Sequence, residues 1–129
     1  MELLSEMPRI FWAGDSTVKQ NDFTSYPQCG IGQGFSLFVK KEILIVNRAE
    51  NGRSTKSFID EGRLEFIKEN IRKGDFLFIQ FGHNDEKNDP LRYTDPQTTF
   101  KENLRTFIDT ARNAGAYPLL ITPLYRRLF

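Results

Sequence analysis

Four short apolar runs alternate along the chain with longer amphipathic stretches, and this alternation is the strongest constraint on its fold. The runs are rich in aromatic and β-branched residues, as strands buried on both faces are, and they span residues 9–13, 42–46, 75–81 and 117–122. Strands that alternate with helices are joined by right-handed crossovers into a parallel sheet with helices on both faces. The sequence therefore predicts an α/β fold of three layers.

The amphipathic stretches are predicted as helices. They span residues 57–73, residues 99–114 and, more briefly, about residues 34–41. The helix over 99–114 is the best defined, because Thr99 and Glu102 form a capping-box pattern at its start and Gly115 stands at its end. The glycine-rich segment 30–34 does not have the spacing of a phosphate-binding loop, and we expect it to be a flexible entry to the short helix.

Composition places the chain among globular proteins of one domain. Its 129 residues are 39% hydrophobic and 27% charged, which predicts a single domain over residues 1–129 with a real core. The net charge of +1 gives no field of one sign, so neither nucleic acid nor a membrane surface is an expected partner. Its one cysteine, Cys29, excludes an internal disulfide framework and a multi-cysteine zinc site. With no leader pattern and no run of ~18 apolar residues, the expected location is cytoplasmic.

A polar turn that contains glycine follows each of the first three predicted strands. The turns are Gly14-Asp15-Ser16-Thr17, the segment 47–54, which ends in Asn51-Gly52-Arg53-Ser54, and Gly82-His83-Asn84-Asp85. In parallel sheets the chemistry lies at the carboxyl ends of the strands, so these turns predict a common site. Each alone has a structural explanation, since Ser16 could cap a turn, Gly52 could serve a positive φ and Asn84 could form an Asx turn.

Together, and in this order, the three blocks resemble those of the SGNH (GDSL-like) hydrolases, and within them the rhamnogalacturonan acetylesterases. The similarity extends from about residue 9 to residue 129 and includes the segment 57–63 and Thr122-Pro123. The resemblance implies a flavodoxin-like sheet of strand order 2-1-3-4-5, which this chain would contain only to about the fourth strand. It also implies hydrolysis of an acetyl ester of a small molecule or an oligosaccharide, with no cofactor and no metal.

The resemblance assigns roles to residues of the three blocks. Ser16 is expected as the nucleophile, and the backbone N–H groups of Ser16 and Gly52 with the side-chain amide of Asn84 as the oxyanion hole. Supporting positions are expected at Asp15, His83 and Asp85. These residue types suit the chemistry, because an ester carbonyl attacked by a hydroxyl develops negative charge that preorganised donors must meet.

One block of the family pattern is missing, the C-terminal Asp-x-x-His that supplies the general base. The single histidine, His83, lies in the asparagine block, and Gln80 stands three residues before it. We therefore expect very weak esterase activity and favour the amino-terminal portion of a longer esterase, without the last strand. Two alternatives are a non-catalytic relative that binds glycans, with Tyr26 and Tyr93 stacking on sugars, and a chain in which His83 replaces the base.

Two further expectations follow from the residues. A metal-dependent phosphoesterase would use oxygen and nitrogen ligands that the turns contain, namely Asp15, His83, Asn84, Asp85 and Asp89. If the fourth strand is the last, it becomes a sheet edge with unpaired backbone groups, of which Pro118 removes only one donor. We therefore expect a homo-oligomer that forms through this exposed fourth strand.

Overall fold

The computed structural model describes residues 7–125, and its centre is one parallel sheet of four strands. The strands are β1 (Ile10–Gly14), β2 (Ile45–Asn47), β3 (Phe76–Gln80) and β4 (Tyr117–Leu120). They lie in the order β2-β1-β3-β4, and all neighbours are parallel. The predicted α/β fold is confirmed, although β2 begins three residues later than the apolar run at 42 suggested.

Helices connect the strands in the described part of the chain. They are α1 (Ile31–Phe35), α2 (Thr55–Asp60), α3 (Arg63–Asn70) and α4 (Thr99–Asn113), and short 3-10 segments lie at Phe23–Ser25 and Ser36–Phe38. The short helix predicted over 34–41 is displaced, since α1 begins at residue 31 and the chain has left the helix before residue 41. None of the helices within residues 7–125 has the length and hydropathy of a membrane-spanning segment.

The helix predicted over 57–73 is two helices rather than one. Gly62 separates α2 from α3 and takes a φ of +78°, a left-handed conformation that interrupts the helical hydrogen bonds. The start is also earlier than predicted, because Ser54 caps α2 and forms a capping box with Ser57. The apolar spacing identified the buried face correctly, since Leu64 and Ile67 are buried, but it did not reveal the break.

The capping box predicted for α4 is wrong, although the helix begins at the predicted residue. Its N-cap is Thr98, whose side chain makes no capping hydrogen bond. Asp95 competes for this turn, because its carboxylate accepts the N–H groups of Gln97 and Thr98 while its own N–H donates to Thr99 Oγ1 at 2.7 Å. The Thr99 hydroxyl therefore faces Asp95 and not the first turn of the helix.

The sheet is covered on both faces, which gives the three predicted layers. On one face, Phe11 and Leu77 pack with residues of α2, α3 and α4 in the larger core; its fully buried helical members are Phe58, Ile67, Phe107 and Ala111. On the opposite face, the Trp12 ring makes edge contacts with Phe35 at 5.8 Å and with Phe78 at 5.0 Å between centroids. The shorter α1 covers this second face, so its core is smaller.

Strand β4 departs from the prediction that all four strands are buried. It is one of the two edges of the described sheet, β2 being the other, and Tyr117, Leu119 and Leu120 are 59%, 48% and 50% exposed. Tyr117 packs against Phe76 at 5.4 Å on one face, while Leu120 faces α4 on the other. An edge strand has a neighbour on one side only, and this is why its apolar side chains remain accessible.

Candidate active site

The turn after β1 presents Ser16 at its tip. The Asp15 carboxylate shapes this turn, because Oδ1 accepts the N–H of Thr17 at 2.9 Å and lies 2.7 Å from the Thr17 hydroxyl. The Asp15 carbonyl oxygen accepts the N–H groups of Val18 and Lys19 at 3.0 and 3.1 Å. Among residues 7–125, neither the backbone N–H of Ser16 nor its hydroxyl has a hydrogen-bond partner. Both groups are therefore available to a ligand.

The glycine-rich segment 30–34 packs against the end of this turn at Val18 and Lys19. A Cβ on Gly30 would lie 2.4 Å from the carbonyl oxygen of Lys19, and a Cβ on Gly32 would lie 2.7 Å from that of Val18. Only glycine permits such an approach of two backbones, so the chain is closely packed at Gly30 and Gly32. The segment is also not an entry to the short helix, because residues 31–34 lie within α1. Asn47, the last residue of β2, also donates from Nδ2 to the Val18 carbonyl oxygen at 2.9 Å.

The glycine block is tied to the nucleophile turn through Glu50. The Glu50 N–H donates to the Gly14 carbonyl oxygen at 3.2 Å, and its carboxylate forms an ion pair with Lys19 at 2.6 Å. The hydrogen bond from Lys19 lowers the pKa of Glu50 below its ordinary value. Gly52 itself takes a φ of +73°, which favours glycine, and within the described residues its N–H donates to no protein atom.

The asparagine block meets the glycine block at Asn84. This side chain is buried, and its Nδ2 donates to the Arg53 carbonyl oxygen at 3.0 Å. An amide nitrogen carries two protons, so this bond fixes the orientation of the group and leaves the second proton for another acceptor. Three donors at this edge thus lack partners within residues 7–125, namely the N–H groups of Ser16 and Gly52 and one N–H of Asn84.

Asp85, the last residue of the asparagine block, is a buried carboxylate. It accepts the N–H of Thr55 at 2.9 Å, the Thr55 hydroxyl, and the Thr94 hydroxyl at 2.8 Å. Asn103 of α4 donates to the same Thr55 hydroxyl at 3.1 Å. Burial raises the pKa of Asp85, the bonds from Thr55 and Thr94 oppose that rise, and the nearby Asp15 adds to it. Asp85 therefore joins the third block to the start of α2 and the loop before α4.

His83 makes no hydrogen bond to the nucleophile in the described structure. Its Nε2 is buried and has no hydrogen-bond partner, and nothing in the described structure bonds it to Ser16. The residue lines a cavity of about 750 Å³ together with Tyr93, Phe100 and Tyr125. The hypothesis that His83 replaces the missing base gains no support from this arrangement.

The ligand set expected for a metal-dependent phosphoesterase does not converge. Among residues 7–125, no three His, Cys, Asp or Glu side chains are grouped closely enough to hold a metal ion. Asp89 in particular bonds to Arg92 and to the Leu91 N–H, and Asp85 is occupied by threonine donors. This rival function has no structural support within the described residues.

Sequence comparison gives relatives that are named as esterases, while no family model matches the chain. The chain is 46% identical over 121 residues to rhamnogalacturonan acetylesterase RhgT of Bacillus subtilis. The aligned region covers 94% of this chain and 51% of the relative. It is 50% identical over 118 residues to the probable rhamnogalacturonan acetylesterase YesY of the same organism, covering 91% and 54%. The chain spans about half the length of these curated relatives.

Solved structures agree with the sequence relatives. The crystal structure of YxiM from Bacillus subtilis superposes with a TM-score of 0.79 at 32% identity and covers 91% of this chain and 33% of that one. Sequence and fold are those of an SGNH hydrolase that resembles the rhamnogalacturonan acetylesterases. The crystal structure of a lipase/acylhydrolase from Enterococcus faecalis has the same fold as this chain, with a TM-score of 0.61 at 24% identity. The superposition covers 92% of this chain and 58% of that one. The relatives RhgT and YesY are named as acetylesterases, which are carboxylic-ester hydrolases.

The structure of this SGNH hydrolase brings the three expected blocks together and adds residues that the sequence did not reveal. Thr55 and Thr94 hold Asp85, although they lie 30 and 9 residues from it along the chain. Asn47 and Gln80, at the ends of β2 and β3, also support the site, since Gln80 lies 3.1 Å from the Thr17 hydroxyl. For Asn47 and Gln80, the sequence signal was a polar residue at or near the end of a predicted apolar strand.

Proposed function

We propose that this chain supplies the nucleophile and the oxyanion hole of a serine esterase that removes acetyl groups from a carbohydrate of the rhamnogalacturonan type. The observation that supports the proposal is that three donors and the Ser16 hydroxyl, all at the same edge of the sheet, lack partners in the described chain: the N–H groups of Ser16 and Gly52, and one N–H of Asn84. Such donors match the charge that develops on an ester oxygen. The names of the two Bacillus relatives support the substrate class.

The chemistry begins with attack of the Ser16 oxygen on the ester carbonyl carbon. The carbonyl π electrons move to oxygen, and the three donors stabilise that oxyanion. Collapse of the tetrahedral intermediate expels the alcohol and leaves acetylated Ser16, which water then hydrolyses. The Ser16 proton needs a base, and no side chain within residues 7–125 forms a hydrogen bond with that hydroxyl. We therefore propose very weak turnover for this chain, with acylation and deacylation both slow.

Acetylation of Ser16 tests the proposal directly. Incubation with p-nitrophenyl acetate is expected to acetylate Ser16 slowly, as located by peptide mass spectrometry, and Asn84→Ala should slow this step by roughly 100-fold or more, as loss of one oxyanion donor does. Ser36→Ala is the matched control, because the Ser36 hydroxyl is exposed and bonds only within its own helical turn. Acetyl groups on lysines with none on Ser16 would contradict the proposed nucleophile. Robust turnover that Ser16→Ala abolishes would contradict the proposed weakness.

A glycan-binding role without hydrolysis is the second candidate. The cavity beside His83 favours it, because Tyr93, Phe100 and Tyr125 contribute aromatic rings of the kind on which sugars stack. Tyr26, the other aromatic residue considered, is exposed in a separate cavity with Phe23 and Pro27. Isothermal titration with acetylated pectin fragments separates the candidates, since saturable binding with no release of acetate favours the binding role.

Association of two copies through β4 is also proposed, since the apolar side chains of this edge are exposed. Its backbone offers few free donors, because the N–H groups of Tyr117 and Ile121 donate to the carbonyl oxygens of Asp75 and Ile79. The N–H positions of residues 118 and 120 therefore face outward. Pro118 has no N–H, so Leu120 provides the one outward donor of β4. The side chains of Tyr117 and Leu119 would therefore carry the contact.

The cytoplasmic location stays a prediction from the sequence.

A further inference from the structure

The loop over residues 20–29, which follows the nucleophile turn, carries two aromatic rings that no described residue covers. Phe23 is 95% exposed and Tyr26 is 81% exposed, and both line a cavity of about 610 Å³. Four further lining residues have a side-chain amide, namely Gln20, Asn21, Gln28 and Gln33. Two large rings that remain in water on one loop are typical of a binding surface more than of a simple connection.

Hydrogen bonds order this loop before any ligand binds. Gln33 of α1 holds the Asn21 backbone, because its Oε1 accepts the Asn21 N–H at 2.9 Å and its Nε2 donates to the Asn21 carbonyl oxygen at 3.2 Å. The Asp22 carboxylate caps the 3-10 turn over Phe23–Ser25 by accepting the Thr24 N–H at 3.0 Å. The two rings are therefore attached to an ordered backbone, which lowers the entropy cost of binding a ligand to them.

The charge of the lining favours a neutral ligand. Asp22 is its one carboxylate, and no lysine or arginine of the described chain lines the cavity. The hydrogen bond from the Thr24 hydroxyl, above all, lowers the pKa of Asp22, so the carboxylate is ionised near pH 7. Lys19 also lowers this pKa, but its ammonium forms an ion pair with Glu50 at 2.6 Å. An anionic ligand would therefore be repelled, since nothing in the lining offsets Asp22.

The amide side chains supply the hydrogen-bonding groups that a polyhydroxylated ligand needs. Gln20 and Gln28 are exposed, and within residues 7–125 their side chains have no hydrogen-bond partner. Each free amide presents one acceptor oxygen and two donor protons, which match a pair of neighbouring hydroxyl groups. A neutral sugar ring combines both requirements of this cavity, because its C–H face packs on an aromatic ring and its hydroxyl groups bond to amides.

The cavity is close to the proposed nucleophile along the chain. Gln20 is four residues after Ser16, and four residues span at most about 14 Å. The end of the loop returns to the same turn, because the Ile31 N–H donates to the Thr17 carbonyl oxygen at 2.7 Å. A glycan whose ester lies at Ser16 therefore reaches Gln20 after a few sugar units.

We propose that this cavity binds a neutral sugar ring, which packs on the rings of Phe23 and Tyr26. Gln20 and Gln28 bond to its hydroxyl groups. The inference rests on the proposed function in one respect, since it takes a glycan to be the substrate. It adds a contact that lies outside the three blocks and takes no part in ester hydrolysis. Sugars that carry a carboxylate should bind here more weakly, because Asp22 is the one carboxylate in the lining.

NMR titration of the isotope-labelled chain with methyl β-D-galactopyranoside tests this inference without catalysis. Shift changes should concentrate at the amides of residues 20–29 and Gln33, with a Kd on the order of 10 mM, as one exposed ring gives. Tyr26→Ala should weaken binding at least about fivefold, whereas Tyr26→Phe keeps the ring and should retain it. Methyl β-D-galactopyranosiduronate, which carries a carboxylate at the same ring, should bind about two- to fivefold more weakly. Phe38→Ala is the matched control, because Phe38 is 85% exposed and does not line the cavity.

The outcomes separate this inference from the proposed function. No shift changes, changes centred on the cavity beside His83, equal affinity for the uronate, or unchanged affinity in Tyr26→Ala would overturn it. Loop shifts that vary with protein concentration and not with sugar would show that a second copy covers the rings, which overturns it as well. A Tyr26→Ala spectrum unchanged outside the loop shows that the variant is folded, and its Ser16 should be acetylated by p-nitrophenyl acetate as in the wild type. Absence of that acetylation in the wild type would refute the esterase proposal and leave the titration to be judged on its own result.

Discussion

Two regions of the sheet differ in what they bury: the carboxyl ends of the strands bury polar side chains, whereas the edge strand β4 exposes apolar ones. At the carboxyl ends of the first three strands, polar side chains are buried and hydrogen-bonded, since Asp15 accepts the N–H of Thr17 and Asp85 accepts the N–H of Thr55. At β4, apolar side chains are exposed, and Tyr117 and Leu119 have one covered side only. The site is therefore built from contacts internal to the described chain, whereas the β4 side has surface that no described residue covers.

The difference indicates where the free energy of folding resides. Buried polar groups cost free energy unless each has a partner, and bonds that link the blocks satisfy Asp85 and one N–H of Asn84. His83 Nε2 is an exception, since it is buried without a partner among the described residues. Exposed apolar side chains gain little from folding, because the area removed from water is small. Variants at the core and the site should therefore destabilise the chain, and variants at β4 should hardly affect it.

A pair of truncations to alanine gives the largest expected contrast. Phe58 is fully buried and packs against Phe81 at 5.3 Å and Phe107 at 5.6 Å between ring centroids. Phe58→Ala should lower the free energy of unfolding by about 3–5 kcal/mol, because it removes buried area and leaves a cavity. Leu119→Ala should lower it by less than about 1 kcal/mol. Urea unfolding measures both, and Phe58→Leu serves if the alanine variant does not fold. Equal losses at the two positions would refute the contrast.

The pH dependence of stability gives a smaller contrast, at Asp85. Since its pKa is raised above the ordinary 3.8, the folded chain holds this proton more tightly than the unfolded chain does. The contribution of Asp85 to the free energy of unfolding is thus fully present below the ordinary pKa and is lost as pH rises through the raised value. Asp85→Asn abolishes this dependence, and at pH 7 it should change stability by no more than about 2 kcal/mol, since the shape is kept.

Urea unfolding from about pH 3 to pH 7 measures this effect as a difference between two proteins. The free energy of unfolding of the wild type minus that of Asp85→Asn should fall as pH rises. Asp109→Asn, on the exposed face of α4, is the matched control for the loss of a carboxyl group. A difference that rises with pH would show that the Thr55 and Thr94 bonds outweigh the burial of the charge.

The fold was largely predictable because its signals are local. Apolar runs located all four strands to within a few residues, and the spacing of Phe107 and Ala111 located α4. The failures came where two local preferences compete. Gly62 breaks a stretch whose apolar spacing continues through it, and the N–H of Asp95 donates to the Thr99 hydroxyl that a capping box would otherwise use. Nothing in the sequence ranks one preference above the other in these places.

The candidate site was predictable only in its blocks. Ser16, Gly52 and Asn84 were identified because each follows a strand and matches a family pattern. The partners that fix them were not, since Asp85 bonds to Thr55 thirty residues away and Arg92 reaches Gly52 from a separate loop. Such contacts depend on how the strands are ordered, and the sequence does not encode them as spacing.

Self-association gives the smallest expected effect and tests the β4 side of the comparison. Leu119→Lys should weaken the association of two copies about tenfold, or ~1.4 kcal/mol, because a charge replaces one of two apolar contacts. Stability should change little, since Leu119 is half exposed. Leu37→Lys is the matched control, an exposed leucine away from β4. Sedimentation velocity from about 10 μM to about 1 mM measures both variants. A wild type that remains monomeric across this range would show that the one outward donor, Leu120, and its neighbouring side chains are too few to pair two edges.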